Sequence, residues 1–337
     1  MDPNLQRESK RLAQSWMQHD QTMLRDYLVS SVEDPRLNFQ SILTRHFLVY
    51  HLFGVRYQEL QEAELAFALA LNWLLKHSGE FSTPEDASAL LHALTVEGEE
   101  VNGVEIPYYM DGIFRALPWA VDGRIVPNYV RETLEETRSR GNPVLSESCK
   151  SLFQGLWRKT LSRCKPQSLS VLEPACGSAN DYRFIDAFGL GRLFAYTGFD
   201  LCEKNVLNAR NLFPNVDFRL GNVFEIAAPD KSYDLCFVHD LFEHLSIKGM
   251  EAAIAEMCRV TRRELWVVFF NMAEEPKHVI QPVEDYHWNR LSFHETRKSF
   301  LRHSRSIQAI HIGSFLREGF PDAEVHNENA YAFRVEL

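Results

Sequence analysis

Residues 168–180 read Ser-Leu-Ser-Val-Leu-Glu-Pro-Ala-Cys-Gly-Ser-Ala-Asn, and this stretch decides the fold class of the chain. Its apolar run ends in Glu173 and has the composition of a short buried β-strand. The residues that follow are small, so the backbone there can approach a ligand closely, and a helical pattern comes next. A strand, a tight turn and a helix in this order are typical of the opening unit of a parallel α/β sheet.

The rest of the second half continues this rhythm of short β-branched or aromatic runs alternating with helical patterns. The last two strands are separated only by a turn-like segment in which we expect no helix, so they should form a hairpin that places one antiparallel strand in the sheet. The predicted strands lie near residues 169–173, 194–200, 216–220, 233–239, 264–270, 306–314 and 330–336. The predicted helices lie near residues 180–188, 203–212, 247–259 and 292–302.

The first half, from residue 4 to about 165, has a helical pattern and almost no strand signal. Thr83 can cap the fourth helix, because Pro84 suits a first helical position and acidic residues follow it. We predict an α-helical N-terminal domain over residues 1–150 and an α/β domain over residues 151–337. The predicted helices of this half lie near residues 4–18, 36–53, 58–77, 84–97, 128–139 and 146–163.

Composition excludes several classes of function. The formal charge of −10 disfavours nucleic acid as a partner, and the longest apolar run, residues 65–75, is far shorter than the ~20 residues of a membrane-spanning helix. The six cysteines form no Cys-x-x-Cys pair and suit a reducing compartment, and the first residues lack a secretory signal. We therefore expect a cytoplasmic protein that binds neither nucleic acid nor a membrane.

Acidic residues end two successive predicted strands. Glu173 ends the first and Asp200 ends the second, at a separation close to the ~20 residues at which an acid meets ribose hydroxyls in dinucleotide sites. Open α/β sheets bind ligands beyond the carboxyl ends of their strands, where the charge of Glu173 can attract a cationic ligand. Asp200 is thus a candidate ribose ligand, although it can equally cap the helix that begins near Glu203.

Two further stretches complete the pattern. Residues 218–224 form a third strand with a polar tip, and residues 233–245 read Tyr-Asp-Leu-Cys-Phe-Val-His-Asp-Leu-Phe-Glu-His-Leu. With these four ordered motifs, residues 165–337 resemble the class I S-adenosylmethionine-dependent methyltransferase family. The resemblance implies a Rossmann-like, seven-stranded α/β sheet, and S-adenosyl-L-methionine as the cofactor.

The resemblance also implies roles for individual residues. Two departures from the family pattern affect them: Ala175 and Ala179 stand where the family has the outer glycines of its loop, and Asn222 replaces an acid. Alanine is strained wherever the turn needs a positive φ. The implied cofactor contacts are Glu173, Ala175 and Gly177 at the methionine part, Asp200 and Leu201 at the ribose, Asn222 and Val223 at adenine, and His239 beside the methyl group.

The expected acceptor is a small molecule methylated on oxygen or nitrogen. A hydroxyl acceptor gains from a base within hydrogen-bond reach, and the candidate bases are His239, His244 and His287. Tyr286 and Trp288 lie where family members place acceptor-binding segments, and such aromatic residues suit a small-molecule pocket. A surface turn closed by Trp288 is the competing interpretation.

A segment in the helical first half of the chain is a candidate cover for the acceptor site. Glycine and proline punctuate residues 98–127, which hold Tyr108 and Tyr109. We predict that these tyrosines bind the acceptor as part of a lid that excludes water. The alternative is that they fill the core between helices, since buried tyrosines are common.

Other functions stay open at this stage. A nicotinamide-dependent oxidoreductase also uses a doubly wound sheet, but residues 173–180 lack the Gly-x-Gly-x-x-Gly turn. A protein that binds the cofactor without catalysis and acts as a regulatory partner is a second alternative, and a protein methyltransferase is a third. Asp240 and Asn271 would be the oxygen ligands of a metal-assisted variant, while metal independence is the default expectation.

Overall fold

A computed structural model describes residues 2–18, 34–81, 83–93, 100–110, 125–141 and 144–337. The chain divides into two compact units. The sheet unit contains residues 1–24, 164–312 and 327–337, and the helical unit contains residues 25–163 and 313–326. Each unit has its own core and is described by itself.

The helices and strands are numbered in chain order. The helices are α1 (Pro3–Gln18), α2 (Phe39–Phe53), α3 (Gln58–His77), α4 (Pro84–Ala93), α5 (Ile125–Arg140), α6 (Glu147–Leu161), α7 (Asn180–Ala187), α8 (Glu203–Leu212), α9 (Ile247–Val260), α10 (Phe293–Leu301) and α11 (Ile312–Gly319). The strands are β1 (Glu100–Val101), β2 (Val104–Glu105), β3 (Ser170–Pro174), β4 (Ala195–Asp200), β5 (Asp217–Leu220), β6 (Tyr233–His239), β7 (Thr261–Phe269), β8 (Met272–Ala273), β9 (Pro282–Val283), β10 (Tyr286–His287), β11 (Leu291–Ser292), β12 (Ser306–His311) and β13 (Tyr331–Glu336).

The predicted seven-stranded α/β sheet is confirmed. Its strand order is β12-β13-β7-β6-β3-β4-β5. Strands β7, β6, β3, β4 and β5 run parallel, while β13 is antiparallel to both β7 and β12. The chain enters at β3 in the middle and later returns to β6 on the other side of β3. This reversal opens a crevice at the carboxyl ends of β3 and β6, where such sheets bind ligands.

The connection before the last strand differs from the prediction. We expected no helix there and a strand reaching residue 314, but β12 ends at His311 and α11 follows it. Ile312 and Leu316 are both buried and lie one helical turn apart, so this short segment has a helical apolar face. The run Ile-His-Ile at residues 310–312 resembles a strand and masked that helical spacing.

The first helix belongs to the sheet unit, which differs from the predicted domain division at residue 150. The buried side chains of Leu5 and Leu12 on α1 join the sheet unit's apolar cluster with Val223, Phe224 and Met250. The side chain of Glu8 accepts hydrogen bonds from the amide and hydroxyl of Ser246, at the N-terminus of α9. The residue pattern does not predict these contacts, because α1 is far from Val223, Ser246 and Met250 along the chain.

The helical unit has the predicted helices over the residues that the structure describes. Thr83 begins α4 as predicted: its hydroxyl accepts the amide of Asp86, whose carboxylate accepts the amide of Thr83 in return. The predicted continuation of this helix over residues 94–97 lies outside the described residues. Glu64 is buried on α3 and accepts hydrogen bonds from Arg45, His46 and Trp157, which tie α2 and α6 to α3.

Candidate cofactor and acceptor site

The turn after β3 has the backbone shape that its glycine pattern predicts, even where glycine is missing. Ala175, Gly177 and Ala179 have φ of 55°, 55° and 65°. Both alanines therefore adopt a positive φ, which costs a residue with a Cβ about 1–2 kcal/mol. At Gly177 a Cβ would also lie 2.9 Å from Nδ2 of Asn180, so another residue there would have to displace this side chain in addition to adopting a positive φ.

The strain at Ala175 leads to a stability prediction. Ala175 is exposed, so replacing it with glycine removes no buried methyl group but relieves the positive φ. We expect Ala175→Gly to raise the free energy of unfolding by about 1 kcal/mol, measured by urea denaturation. Ala227→Gly is the matched control, because Ala227 is exposed with a negative φ and should lose about 0.5–1 kcal/mol. Equal losses in both variants would contradict strain at Ala175.

Glu173 and Asp200 end neighbouring strands as buried carboxylates. Glu173 is 2% exposed and accepts the hydroxyl of Tyr196 at 2.5 Å, and burial together with the charge of Asp181 raises its pKa well above the usual value. Burial also raises the pKa of Asp200. Among the described residues, no lysine, arginine or histidine forms an ion pair with either acid. A cationic ligand would supply the missing positive charge, so this site fits a sulfonium cofactor.

Asp200 holds the turn and the next helix together. One oxygen accepts the amide of Gly177 at 3.0 Å, and the other accepts the amide of Cys202 at 2.8 Å and the side-chain amide of Asn205 at 3.1 Å. Asp200 is nevertheless not the N-cap of α8, because Cys202 holds that position and no side chain caps the helix amides. Ribose binding by Asp200 stays a prediction. Leu201 packs against the sheet unit's apolar cluster.

The tip of β5 is joined to α1. Asn222 donates its side-chain amide to the hydroxyl of Ser9 at 3.0 Å, and its side-chain oxygen accepts the amide of Phe224. The neighbouring Val223 is buried in the apolar cluster. Contact of adenine with the Asn222 amide, which we predicted, would have to share or replace the bond to Ser9. Only the folded chain shows this competition, since Ser9 lies far away in sequence.

His239 stands at the end of β6, opposite the start of α7. Its Nδ1 lies 2.9 Å from Oδ1 of Asp181, a residue that the sequence analysis missed. An acid in the first turn after the small-residue loop was the available signal. The next residue, Asp240, is exposed and has a φ of 51°. The ends of β3 and β6 thus bring together several carboxylates around the crevice.

Aromatic rings surround His244, and two of them belong to the predicted acceptor-binding residues Tyr286 and Trp288. The ring of His244 lies 5.6 Å from that of Phe270, 5.8 Å from that of Tyr286 and 5.4 Å from that of Trp288, between ring centroids. Trp288 is 45% exposed, so part of this cluster faces solvent. We call His244, Phe270, Tyr286 and Trp288 the aromatic cluster.

The aromatic cluster is held by a hairpin after β7. Asn289 is fully buried and links this hairpin to the segment after β6, because its amide donates to the carbonyl of Glu243 and its side chain donates to the carbonyl of Leu245. The carboxylate of Glu243 in turn accepts the amides of Phe270 and Asn271. Burial, followed by the charge of Asp240, raises the pKa of Glu243 to about 8. The sequence analysis singled out neither Asn289 nor Glu243.

His287 takes part through its backbone. Its carbonyl oxygen lies 3.1 Å from Nδ1 of His244, whereas its imidazole makes no contact with the aromatic cluster that the structure records. A carbonyl can only accept, so His244 carries its proton on Nδ1. Burial lowers the pKa of His244, which keeps the ring neutral near pH 7.

The two predicted acceptor-binding tyrosines lie in the helical unit. Tyr108 is exposed and donates its hydroxyl to the carbonyl of Gly319 at 2.9 Å. Tyr109 is buried beside Phe320, and burial raises its pKa. Burial favours the packing interpretation for Tyr109 but not for the exposed Tyr108, and the lid stays a prediction. Residues 111–124 of the proposed lid lie outside the described residues.

The structure also bears on metal binding and on membrane-spanning helices. Asn271 donates its side-chain amide to the carbonyl of Asn289. Over the described residues, no group of three or more His, Cys, Asp or Glu side chains is arranged to hold a metal ion. In the same part of the chain, no helix combines the length and apolar character needed to cross a bilayer.

Comparisons with known proteins find similarity in the sheet unit. Residues 171–264 match the family model described as a methyltransferase domain. No curated protein is similar enough to the chain to count as a match. A solved methyltransferase from Mesorhizobium loti is 12% identical, with a TM-score of 0.40, and the alignment covers 54% of this chain and 96% of that one. A TehB-like methyltransferase from Corynebacterium glutamicum is 14% identical, with a TM-score of 0.37 and coverage of 62% and 95%.

Similarities as low as those to the two solved structures say nothing about the acceptor. The family model, in contrast, spans β3 to β7, the strands that carry Glu173, Asp200 and His239 at their ends. The small-residue turn, the two uncompensated carboxylates and the strand order agree with that match. The sheet unit therefore contains a methyltransferase domain, matched over residues 171–264, whose sheet has the expected class I architecture and whose cofactor is S-adenosyl-L-methionine.

Proposed function

We propose that this enzyme transfers a methyl group to an oxygen or nitrogen of a small-molecule acceptor that contains a flat ring. The observation that carries the proposal is the aromatic cluster, which adjoins the segment that follows β6. Aromatic rings with one exposed member provide a surface on which a flat molecule can stack. The cofactor, when bound, supplies an electrophilic methyl group on a sulfonium.

The chain's own residues would perform binding and orientation. Glu173 and Asp200 offer negative charge to a cationic cofactor, and the turn at Gly177 lets the backbone come close to it. Trp288 and Tyr286 would hold the acceptor ring, which orients the reacting atom and lowers the entropic cost of the transfer. The hairpin that carries both rings is fixed by the buried Asn289, so the surface is preformed.

Replacing Trp288 tests the acceptor surface. We expect Trp288→Ala to raise KM for the acceptor by about tenfold or more through lost stacking, while cofactor affinity stays unchanged. The acceptor is first found by screening aromatic alcohols and amines for release of S-adenosylhomocysteine, and calorimetry measures the cofactor. Phe315→Ala is the control, because Phe315 is also a partly exposed aromatic residue but belongs to the helical unit.

Other outcomes of the screen separate the alternatives. Turnover of peptides without turnover of any small molecule would support a protein methyltransferase and contradict the proposal. Cofactor binding without turnover of any acceptor would support a catalytically inactive regulatory partner. An unchanged acceptor KM in Trp288→Ala would exclude the aromatic cluster as the acceptor surface.

A further inference from the structure

We infer that His244 is the general base of the reaction and that the methylated atom is the hydroxyl oxygen of an aromatic alcohol. The inference rests on the proposed function and narrows it from oxygen or nitrogen to oxygen. It depends on two geometric facts: the bond that fixes the tautomer of His244, and the rings that surround it.

The tautomer of His244 leaves a lone pair on Nε2, which a general base needs in order to accept a proton. Nδ1 of His244 donates to the carbonyl of His287, so Nε2 has no proton and can accept one. Within the part of the chain that the structure describes, Nε2 has no recorded hydrogen-bond partner. The ring is partly exposed, so a bound molecule can reach it.

Two acidic side chains lie on the elements close to His244. One oxygen of Glu243 accepts the amides of Phe270 and Asn271, while its other oxygen is buried and has no hydrogen-bond partner among the described residues. Glu8 on α1, the helix that contacts β10, is held by Ser246. The pKa of His244 is lowered by burial, and the carbonyl of His287 only partly offsets this effect. The other titratable groups on these elements are Asp240, Glu284, Asp285, Tyr286 and His287, together with Arg7, Lys10 and Arg11 on α1.

The aromatic cluster selects the kind of acceptor. Phe270, Tyr286 and Trp288 lie around the same imidazole, so an aromatic acceptor that stacks on the exposed Trp288 would place a ring substituent near His244. A neutral amine attacks a methyl group without a base, whereas a hydroxyl must lose its proton. The available lone pair of a neutral His244 would therefore assist a hydroxyl acceptor but not an amine acceptor.

The transfer balances with these groups. Nε2 of His244 takes the hydroxyl proton as the oxygen forms its bond to the methyl carbon. The electron pair of the broken carbon–sulfur bond stays on sulfur, which becomes an uncharged thioether. The imidazolium then releases its proton to water, and the Nδ1 bond to His287 keeps the ring in the same orientation throughout.

Nitrogen NMR tests the tautomer without any turnover. In the full chain labelled with ¹⁵N-histidine, we expect the resonances of His244 to report a proton on Nδ1 and a pKa below that of free imidazole. His244→Gln removes these resonances and so assigns them. A proton on Nε2 at neutral pH would overturn the inference even if the enzyme methylates alcohols.

Kinetics test the base itself, with the acceptor found in the screen and its amine analogue of the same skeleton. We expect His244→Gln to lower kcat for the alcohol by about 100-fold and to leave KM within about threefold. The rise of kcat with pH through the pKa of His244 should disappear in the variant. Melting temperature and cofactor affinity show whether the variant is folded, and added imidazole should partly restore the rate of His244→Ala.

The matched control and the opposing outcomes are specific. His303→Gln should retain wild-type kcat, because His303 is exposed in the turn after α10. A product methylated on nitrogen or carbon, or the same pH profile in wild type and His244→Gln, would overturn the inference but leave the proposed function standing. The absence of turnover with every small molecule would overturn both.

Discussion

Asp200→Ala is expected to weaken binding of S-adenosylmethionine by about 100-fold or more. The carboxylate holds the amide of Gly177 on one side and those of Cys202 and Asn205 on the other, so its loss loosens the turn that receives the cofactor. If Asp200 also meets the ribose as predicted, charge-assisted hydrogen bonds worth about 1.5–3 kcal/mol each are lost. Calorimetry with the cofactor and with its demethylated product measures the change.

Two companion variants make this result interpretable. Asp217→Ala removes an exposed acid at the start of β5, which is paired with Arg219, and should leave cofactor affinity unchanged. Asp200→Asn keeps one side-chain oxygen but removes the charge, so it separates the turn contacts from charge-assisted ones. An unchanged dissociation constant in Asp200→Ala would mean that Asp200 has no role in cofactor binding.

Glu64→Leu is expected to lower the free energy of unfolding by about 3–5 kcal/mol. Glu64 is 1% exposed and accepts hydrogen bonds from Arg45, His46 and Trp157, all within the helical unit. Arg45 is buried too, so removing Glu64 takes a carboxylate away from a buried cation and an acceptor away from His46 and Trp157. Urea denaturation of the full chain measures the loss.

The buried ion pair of Glu64 and Arg45 also predicts how the stability of the protein depends on pH. Burial alone would raise the pKa of Glu64, but Arg45 and His46 outweigh it and hold that pKa below its usual value of 4.5. Because the folded pKa is the lower one, the stabilisation is present above about pH 4.5 and is lost as pH falls through the folded pKa. Wild type should therefore lose more stability than Glu64→Leu upon acidification.

A control and a double variant define what would contradict this prediction. Glu62→Gln changes an exposed acid on the same helix and should shift stability by less than about 0.5 kcal/mol. Replacing Arg45 and Glu64 together with apolar residues should recover part of the loss, because no lone charge then remains buried. A loss below about 1 kcal/mol in Glu64→Leu would show that the network is not structurally important.

The cofactor turn shows how far residue patterns reach. Spacing placed the turn after β3 and indicated that Ala175 or Ala179 would be strained wherever the turn needed a positive φ, and the structure shows that both positions need it. Asn289 and Glu243 show the opposite case. Both are buried polar residues whose importance depends on main-chain partners from other segments, and no local pattern marks such partners.

The cofactor was implied by the resemblance of four ordered motifs to a known family. Local physics explains the rest of what the sequence by itself determined: the alternation of strands and helices, the seven-stranded sheet and the acids at strand ends. Each depends on residues within a few positions of one another, through periodicity, capping and the small-residue turn. Only the tertiary structure decided that α1 joins the sheet unit, that Asp181 meets His239, and that the carbonyl of His287 sets the tautomer of His244. These contacts join residues that are far apart in the chain or depend on the exact path of a hairpin. They are selected by side-chain burial and backbone geometry in the folded chain, which the spacing of residues along the sequence does not predict.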